Sequence, residues 1–338
     1  MTTQNSGLPT DLFVVGNGLG LAWNDPQLML KPSQLTDTWW FDLKFSASMD
    51  GYVCSDCKYN NILPVSNSRL EYRILTSNRT DMVGPNFGLV IHSTSKMESS
   101  TFPIREHISY PYFFTTTGTV QVTRVDSAVN PYIGSRSWSY YLPPSFNENS
   151  FKTYPTFLVP DLRAPSMEAF RPQLERILVE QAIAEEAVLI GSQDYDVPEG
   201  EGRTSFLTPT PGIFFYCING SASDRCAGCV PENVTDPREQ KEYMRDRCGY
   251  TSVVGGHGEQ YIDYMVNEVL PAIQVLTKDR LKVSRDNLGI GGCSLGGLLS
   301  CHALWTRPDT FGMVITFLTD GIFNRYKMWR FHYFPGVV

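Results

Sequence analysis

The sequence predicts two kinds of structure in tandem: an all-β sandwich first, then a mostly parallel sheet covered by helices. Three observations predict it. From about Leu12 to Tyr112 the chain carries short strand-like runs and turn residues, with no helical period. From Trp138 onward, apolar strands alternate with amphipathic helical stretches, the order that builds a parallel sheet with both faces covered. Finally, Gly289-Ile290-Gly291-Gly292-Cys293-Ser294-Leu295-Gly296-Gly297-Leu298 sets a Gly-x-Ser-x-Gly motif between a short apolar strand and an apolar helix.

In the first half the expected strands are Leu12–Val15, Trp39–Phe45, Arg69–Leu75 and Phe87–Ile91. Asn17-Gly18, Asn24-Asp25-Pro26 and Gly84-Pro85 punctuate them. This spacing fits an immunoglobulin-like β-sandwich over residues 11–114. The run Thr115-Thr116-Thr117-Gly118 reads as the join to a second domain, 119–338. There the expected strands are Trp138–Leu142, Thr156–Val159, Ala187–Gly191, Leu288–Gly291 and Met313–Leu318. Helices are expected over Met167–Ala187, with Phe170, Leu174, Ile177 and Leu178 on one face, over Gly258–Leu276, and over Leu295–Thr306. A polar insertion, 209–254, separates the first of these helices from the second.

The motif around Ser294 has a chemical logic. A chain turning sharply from strand to helix holds its serine in a strained conformation, and small neighbours are needed because a Cβ there would collide with adjoining turns. The hydroxyl then stands at a sheet edge, beside a helix N-terminus that favours developing negative charge. Ser294 is the candidate nucleophile, and the backbone N–H of Leu295 a candidate oxyanion donor.

The 338 residues suffice for two domains. A net charge of −7 and a pI near 5.3 argue against nucleic acid or an anionic membrane as partner. No apolar run is long enough to span a bilayer, and Met1–Thr10 lacks the basic and apolar regions of a signal peptide. The residues give no metal or cofactor site.

Eight cysteines bear on the compartment. Cys54 and Cys57 form a C-x-x-C pair; Cys217, Cys226, Cys229 and Cys248 cluster in the insertion. Two glycosylation-type sequons, Asn219-Gly-Ser221 and Asn233-Val-Thr235, lie among the cluster, and Asn78-Arg-Thr80 is a third. Disulfides in an extracellular insertion are the favoured reading, with zinc and free thiols as alternatives. Secretion would require a leader that Met1–Thr10 does not supply. Cys293 and Cys301 read as buried thiols.

Several blocks resemble a known family. They are Ser137-Trp138-Ser139-Tyr140-Tyr141-Leu142-Pro143-Pro144-Ser145, Tyr154-Pro155, Arg203-Thr204 with Leu207-Thr208-Pro209, and Gly255-Gly256. Asn267-Glu268-Val269-Leu270-Pro271, the Ser294 motif and Arg307-Pro308-Asp309-Thr310-Phe311-Gly312 follow. In this order they resemble the branch of the α/β-hydrolases that holds esterase D and the enterochelin and bacillibactin esterases. The resemblance implies an α/β-hydrolase fold, Ser294 as nucleophile and Leu295 as oxyanion donor. It places a second donor near Pro160-Asp161-Leu162, where the family usually has Asp-Gly. The acid and histidine should follow the serine. The match ends after Phe311-Gly312-Met313-Val314, so the hydrolase fold is expected to be incomplete and turnover weak. Asp320 and His332 have the right order and are the candidate acid and base. His302 is expected to point away from the site, and His257 to cap the Gly258 helix.

The first half resembles the starch-binding, family-twenty carbohydrate-binding modules. The matching pieces are Phe13-Val14-Val15-Gly16, Gly20-Leu21-Ala22-Trp23-Asn24-Asp25-Pro26, Trp39, Leu70-Glu71-Tyr72-Arg73 and Asn78-Arg79-Thr80. The resemblance implies Trp23 as a sugar-stacking platform and Arg73 in place of the family's lysine; the family's second platform tryptophan has no clear counterpart, Met82 being nearest. Trp39 is the expected core member of the Trp39-Trp40 pair. The functional expectation is a serine esterase acting on a small-molecule ester, with an α-glucan as second partner. The alternative is a non-catalytic carbohydrate-binding protein with a degenerate hydrolase domain.

Overall fold

The computed structural model describes residues 2–4, 11–19, 21–30, 38–41, 46–48, 51–53, 63–64, 69–84, 86–90, 108–130, 133–177, 185–192, 203–209, 211–215, 251–318 and 327–331. The chain divides into two compact units. One comprises Met1–Val120, Tyr141–Pro155 and Glu168–Val188; the other comprises Gln121–Tyr140, Thr156–Met167 and Leu189–Val338.

Through Ser109 every described element is a strand. In chain order these are β1 (Thr2–Gln4), β2 (Leu12–Gly16), β3 (Gln27–Leu28), β4 (Thr38–Trp40), β5 (Ser46–Ser48), β6 (Gly51–Val53), β7 (Leu63–Pro64), β8 (Arg69–Thr76), β9 (Phe87–Val90) and β10 (Ile108–Ser109). They form three small sheets, ordered β10-β1-β4, β3-β2-β8-β9 and β5-β6-β7. The β3-β2-β8-β9 sheet carries the core. Alternate residues Leu12 and Val14 on β2, and Leu70, Tyr72 and Ile74 on β8, point the same way. They bury together with Leu19, Leu21, Met29, Trp39, Met82 and Phe113. Trp39 is fully buried, as the sequence suggests. The strand expected over 39–45 stops at Trp40, and residues 46–48 pair elsewhere as β5.

The chain leaving β10 is pinned rather than loose. The carboxylate of Glu148, on α1 (Ser145–Glu148), accepts backbone N–H bonds from Phe113 (2.5 Å), Phe114 (2.9 Å) and Thr115 (3.2 Å). Gly118 N–H donates to Glu175 Oε1 at 2.6 Å. The expected join at 115–118 is therefore held at both ends by carboxylates. Replacing Glu148 with Ala should cost about 2 kcal/mol in a urea unfolding experiment, because hydrogen bonds to a charged acceptor are lost together.

Most of the second unit lies on the sheet ordered β11-β12-β14-β13-β18-β19-β20, in which Tyr141 and Leu142 at the end of β12 are counted with the first unit. The strands of this sheet are β11 (Thr119–Asp126), β12 (Ser135–Leu142), β13 (Tyr154–Val159), β14 (Val188–Ser192), β18 (Leu288–Cys293), β19 (Met313–Leu318) and β20 (Lys327–Phe331). β17 (Leu281–Lys282) adds to β13. β18 lies parallel to β13 and to β19, and β20 is antiparallel to β19. The sheet is mixed and mostly parallel along this stretch, of the α/β type expected. Three strands of this sheet, β11, β17 and β20, were not expected. β11 is mostly solvent-facing and interleaves Thr, Gln and Arg with its valines, which weakens the alternation signal. β20 falls in a tail without a clear period.

β15 (Pro211–Phe215) and β16 (Thr251–Gly255) pair antiparallel and bring together the two ends of the insertion. The insertion's four cysteines and two sequons lie outside the described residues, as do Cys54 and Cys57.

Two helices differ from expectation. α2 spans Ala164–Glu175, starting before Met167, and it buries Met167 while Phe170 is exposed. The helix read over Gly258–Leu276 is α4 (Gly258–Tyr264), a π-helical stretch (Met265–Val269) and α5 (Leu270–Leu276). Pro271 explains the break. A proline in a helix clashes with the carbonyl four residues back and donates no N–H. The wider turn, in which Leu270 N–H reaches Met265 O, opens room at that carbonyl. It also shifts the inward face, so Tyr264 is buried and Val266 is only half-buried. Tyr264 accepts a bond from Trp138 Nε1 (3.2 Å) and donates to Val125 O (2.7 Å).

Candidate active site

β18 is buried along its length until Cys293 and reads Leu-Gly-Ile-Gly-Gly-Cys. Its glycines let neighbouring strands come close: Gly289 sits opposite Phe157 of β13, and Gly291 opposite Ile315 of β19. At its end the chain turns into α6 (Leu295–Thr306), and Ser294 is the hinge, at φ 56° and ψ −121°. That is a conformation a non-glycine residue holds only when its surroundings enforce it. The enforcement is steric on both sides. A Cβ on Gly292 would stand 2.7 Å from the carbonyl carbon of Gly296, and one on Gly296 would stand 2.6 Å from Pro160 O. Ser294 is half-buried at the N-terminus of a twelve-residue helix. Leu298 N–H is the first to find a partner in the helix, at Ser294 O (3.0 Å). The preceding N–H groups, that of Leu295 first, have no carbonyl within the helix to bond.

The absence of side chain at Gly296 also brings in a second turn. Pro160, Asp161 and Leu162 follow β13; Pro160 and Asp161 lie against Gly296 in the first turn of α6, and Leu162 lies against Gly191. Asp161 takes a left-handed conformation, φ 74°. The departure from Asp-Gly at 161–162 thus has a physical answer: the left-handed residue is Asp161, and Leu162 needs no glycine-like backbone. Asp161 N–H donates to Ser192 Oγ (2.9 Å), and Leu162 N–H donates to Val159 O (3.1 Å). Pro160 has no N–H. The N–H groups of this turn, from which a second oxyanion donor was expected, are therefore committed to protein acceptors.

Arg203 reaches the same turn. Its Nε and Nη2 both lie 2.6 Å from Asp161 Oδ2. It stands on α3 (Arg203–Leu207), a helix too short to hold itself. Packing holds it instead. Phe206 is buried beneath the Arg136 guanidinium, 3.9 Å from its ring centroid, and beside Tyr261 at 5.6 Å. Ser205 O accepts His257 N–H (3.1 Å), and Thr208 O accepts the N–H groups of Gly256 (3.0 Å) and Gly258 (3.1 Å).

The other expected residues fall as follows. His257 is the N-cap residue of α4, as expected; its backbone carbonyl accepts Tyr261 N–H at 2.9 Å, while its ring makes no cap hydrogen bond and packs 5.9 Å from Phe206. His302 Nε2 lies 2.8 Å from Glu259 Oε2, in a surface cluster with Arg307 and Asp263. Cys293 is exposed, not buried, because β18 ends there and its side chain follows the turn outward; Cys301 is half-buried, and both are free thiols. Asp320 and His332 lie outside the described residues. At the serine edge of the sheet, Cys293 pairs with Phe317, and the neighbouring Leu318 pairs with Lys327; β20 then runs away, and Phe331 closes on Val314. Among the described residues, no group of three or more His, Cys, Asp or Glu side chains is placed to hold a metal ion, and no helix is long and apolar enough to cross a membrane.

In the first unit, Trp23 sits at the tip of a tight turn and is 45% exposed. Arg73 is occupied: its guanidinium bonds Asp81 (2.7 Å), Met82 O (2.5 Å), Gly84 O (3.0 Å) and Asn86 (3.2 Å). Met82 is a core residue whose sulfur accepts Ile74 N–H.

Sequence comparison adds to this geometry. The chain is similar to a siderophore esterase. That relative, the siderophore triacetylfusarinine C esterase of Aspergillus fumigatus, is 30% identical over 123 residues, covering 34% of this chain and 40% of its own. An uncharacterized protein of Bacillus subtilis, YbbA, is 29% identical over 187 residues, covering 54% of this chain and 55% of that protein. The chain thus spans about half the length of the curated relatives it matches. No family model matches. Among solved structures, an IroE-like serine hydrolase from Shewanella oneidensis aligns at 17% identity, covering 58% of this chain and 49% of that one, with a TM-score of 0.39.

Proposed function

We propose that the protein is a serine hydrolase that cleaves a small-molecule ester, with Ser294 as nucleophile. The observation that carries this reading is the strained backbone of Ser294 at the bend between β18 and α6. Ser294 Oγ adds to the acyl carbonyl and gives its proton to a base. The alcohol departs with a proton, and water then releases the acid from the acyl-serine. Leu295 N–H holds the developing oxyanion. Asp320 and His332 remain the proposed acid and base on their order in the chain. The similarity to a siderophore esterase supports an ester as the substrate.

The proposed immunoglobulin-like glucan-binding module, and with it the non-catalytic alternative, rests on the exposure of Trp23. The engagement of Arg73 weighs against it.

A fluorophosphonate probe tests the hydrolase reading. The parent chain should be labelled at Ser294, found by peptide mass spectrometry. Ser294→Ala should lose labelling by at least about a hundredfold with its melting temperature unchanged. A parent chain that resists the probe, or labelling that survives the substitution, defeats the reading.

A further inference from the structure

Two non-glycine residues of the second unit with positive φ stand at the same place. One is Ser294, at 56°. The other is Asp161, at 74°, whose Cβ would lie 3.4 Å from a Cβ built on Gly296. The proposed hydrolase reading explains the first and leaves the second without a role. A left-handed aspartate persists only where its surroundings over-determine it. Here they do so from several sides. Ser192 Oγ takes its N–H (2.9 Å), and Arg203 takes Oδ2 through two nitrogens at 2.6 Å. Ser139 Oγ donates to Leu162 O (3.1 Å), and Gly191 leaves room for Leu162 to approach. Arg203 comes from a short helix that is itself held by Phe206 under Arg136. Forty-two residues separate Asp161 from Arg203, so no local propensity enforces the pair.

We propose that the Arg203–Asp161 ion pair, assisted by Ser192, is a positioning device for the acyl site. It holds the 160–162 turn in its left-handed form against the first turn of α6, so that the wall beside Ser294 keeps its shape. Neither residue exchanges a proton or forms a bond with substrate. The catalytic part of this inference rests on Ser294 being the nucleophile; the conformational part does not.

The test therefore has two readouts. Amide hydrogen exchange, read by NMR on the full chain, reports the turn. In Arg203→Gln and in Asp161→Asn, the Asp161 and Leu162 amides should exchange at least about tenfold faster than in the parent, with Ile290 in β18 unchanged. Fluorophosphonate kinetics report the site. In the same variants the limiting rate of Ser294 modification should fall about tenfold while the probe's half-saturating concentration holds, and Arg203→Lys should recover part of the rate. Unchanged exchange at both amides overturns the proposal, and so does accelerated exchange with an unchanged limiting rate. If the parent is not labelled at all, the hydrolase reading falls, and exchange alone decides whether the pair holds the turn.

Discussion

Between pH 10 and pH 12 the first unit is expected to lose stability at up to about 4 kcal/mol per pH unit, enough to unfold it. The cause is three buried tyrosines. Tyr72 and Tyr141 are fully buried and Tyr112 nearly so. Burial pushes all three phenols above the ordinary tyrosine value, and neighbouring charges push two of them further: Glu186 acts on Tyr112, and Glu175 and Glu186 act on Tyr141. In the unfolded chain each ionises near pH 10. Above that pH the unfolded state holds fewer protons than the folded state, so unfolding is favoured as pH rises. The stabilisation is complete below pH 10 and is lost upward towards the folded values. In the second unit Tyr264 follows the same sign, with burial raising it to about 12, so its contribution disappears between pH 10 and pH 12. Urea unfolding at pH 8, 10 and 11, with tyrosinate absorbance recorded alongside, measures this. Tyr141→Phe should remove about a third of the first unit's slope. An unfolding free energy that stays level to pH 11.5, or folded tyrosines that all titrate at pH 10, would refute the argument.

Gly296→Val is expected to abolish reaction at Ser294 and to destabilise the second unit by about 3 kcal/mol. The added Cβ would stand 2.6 Å from Pro160 O, a main-chain atom that no rotamer change can move. Either α6 shifts away from β13, which carries Ser294 with it, or the 160–162 turn gives way. Gly292→Ala meets the same obstacle from the other side, at 2.7 Å from the carbonyl carbon of Gly296. Leu298→Ala is the control. It lies on the same helix and is 40% exposed, so it should cost less than about 1 kcal/mol and leave probe labelling intact. Equal labelling of Gly296→Val and the parent would mean that the bend tolerates what its geometry forbids.

These glycines also mark how far the sequence could be read. Their spacing around Ser294 is a local pattern, although Gly296 has to be small because of Pro160, in the turn after β13. So α6 was legible over Leu295–Thr306 and β19 over Met313–Leu318, and both stand as expected. The burial of Trp39 was legible too, since one of two adjacent strand tryptophans must face inward. The break in the Gly258–Leu276 helix had a visible signal in Pro271, but the inward turn of Tyr264 depended on how that proline was accommodated. Cys293 was misjudged. Burial belongs to the neighbours a side chain meets, and residue type predicts it only on average.

What the sequence alone determined was the strained bend and its orientation, because a strand, three small residues, a serine and a helix in that order have few ways to fold. What only the tertiary structure decided was which distant groups close on that bend. Arg203, Ser192 and Ser139 reach the turn at Asp161 from separate elements, and no periodicity records their meeting. The physical difference is range. Gly292 has to be small because of Gly296, four residues along its own chain, whereas the exclusion between Gly296 and Pro160 and the ion pair between residues 161 and 203 exist only after the sheet has brought their elements together.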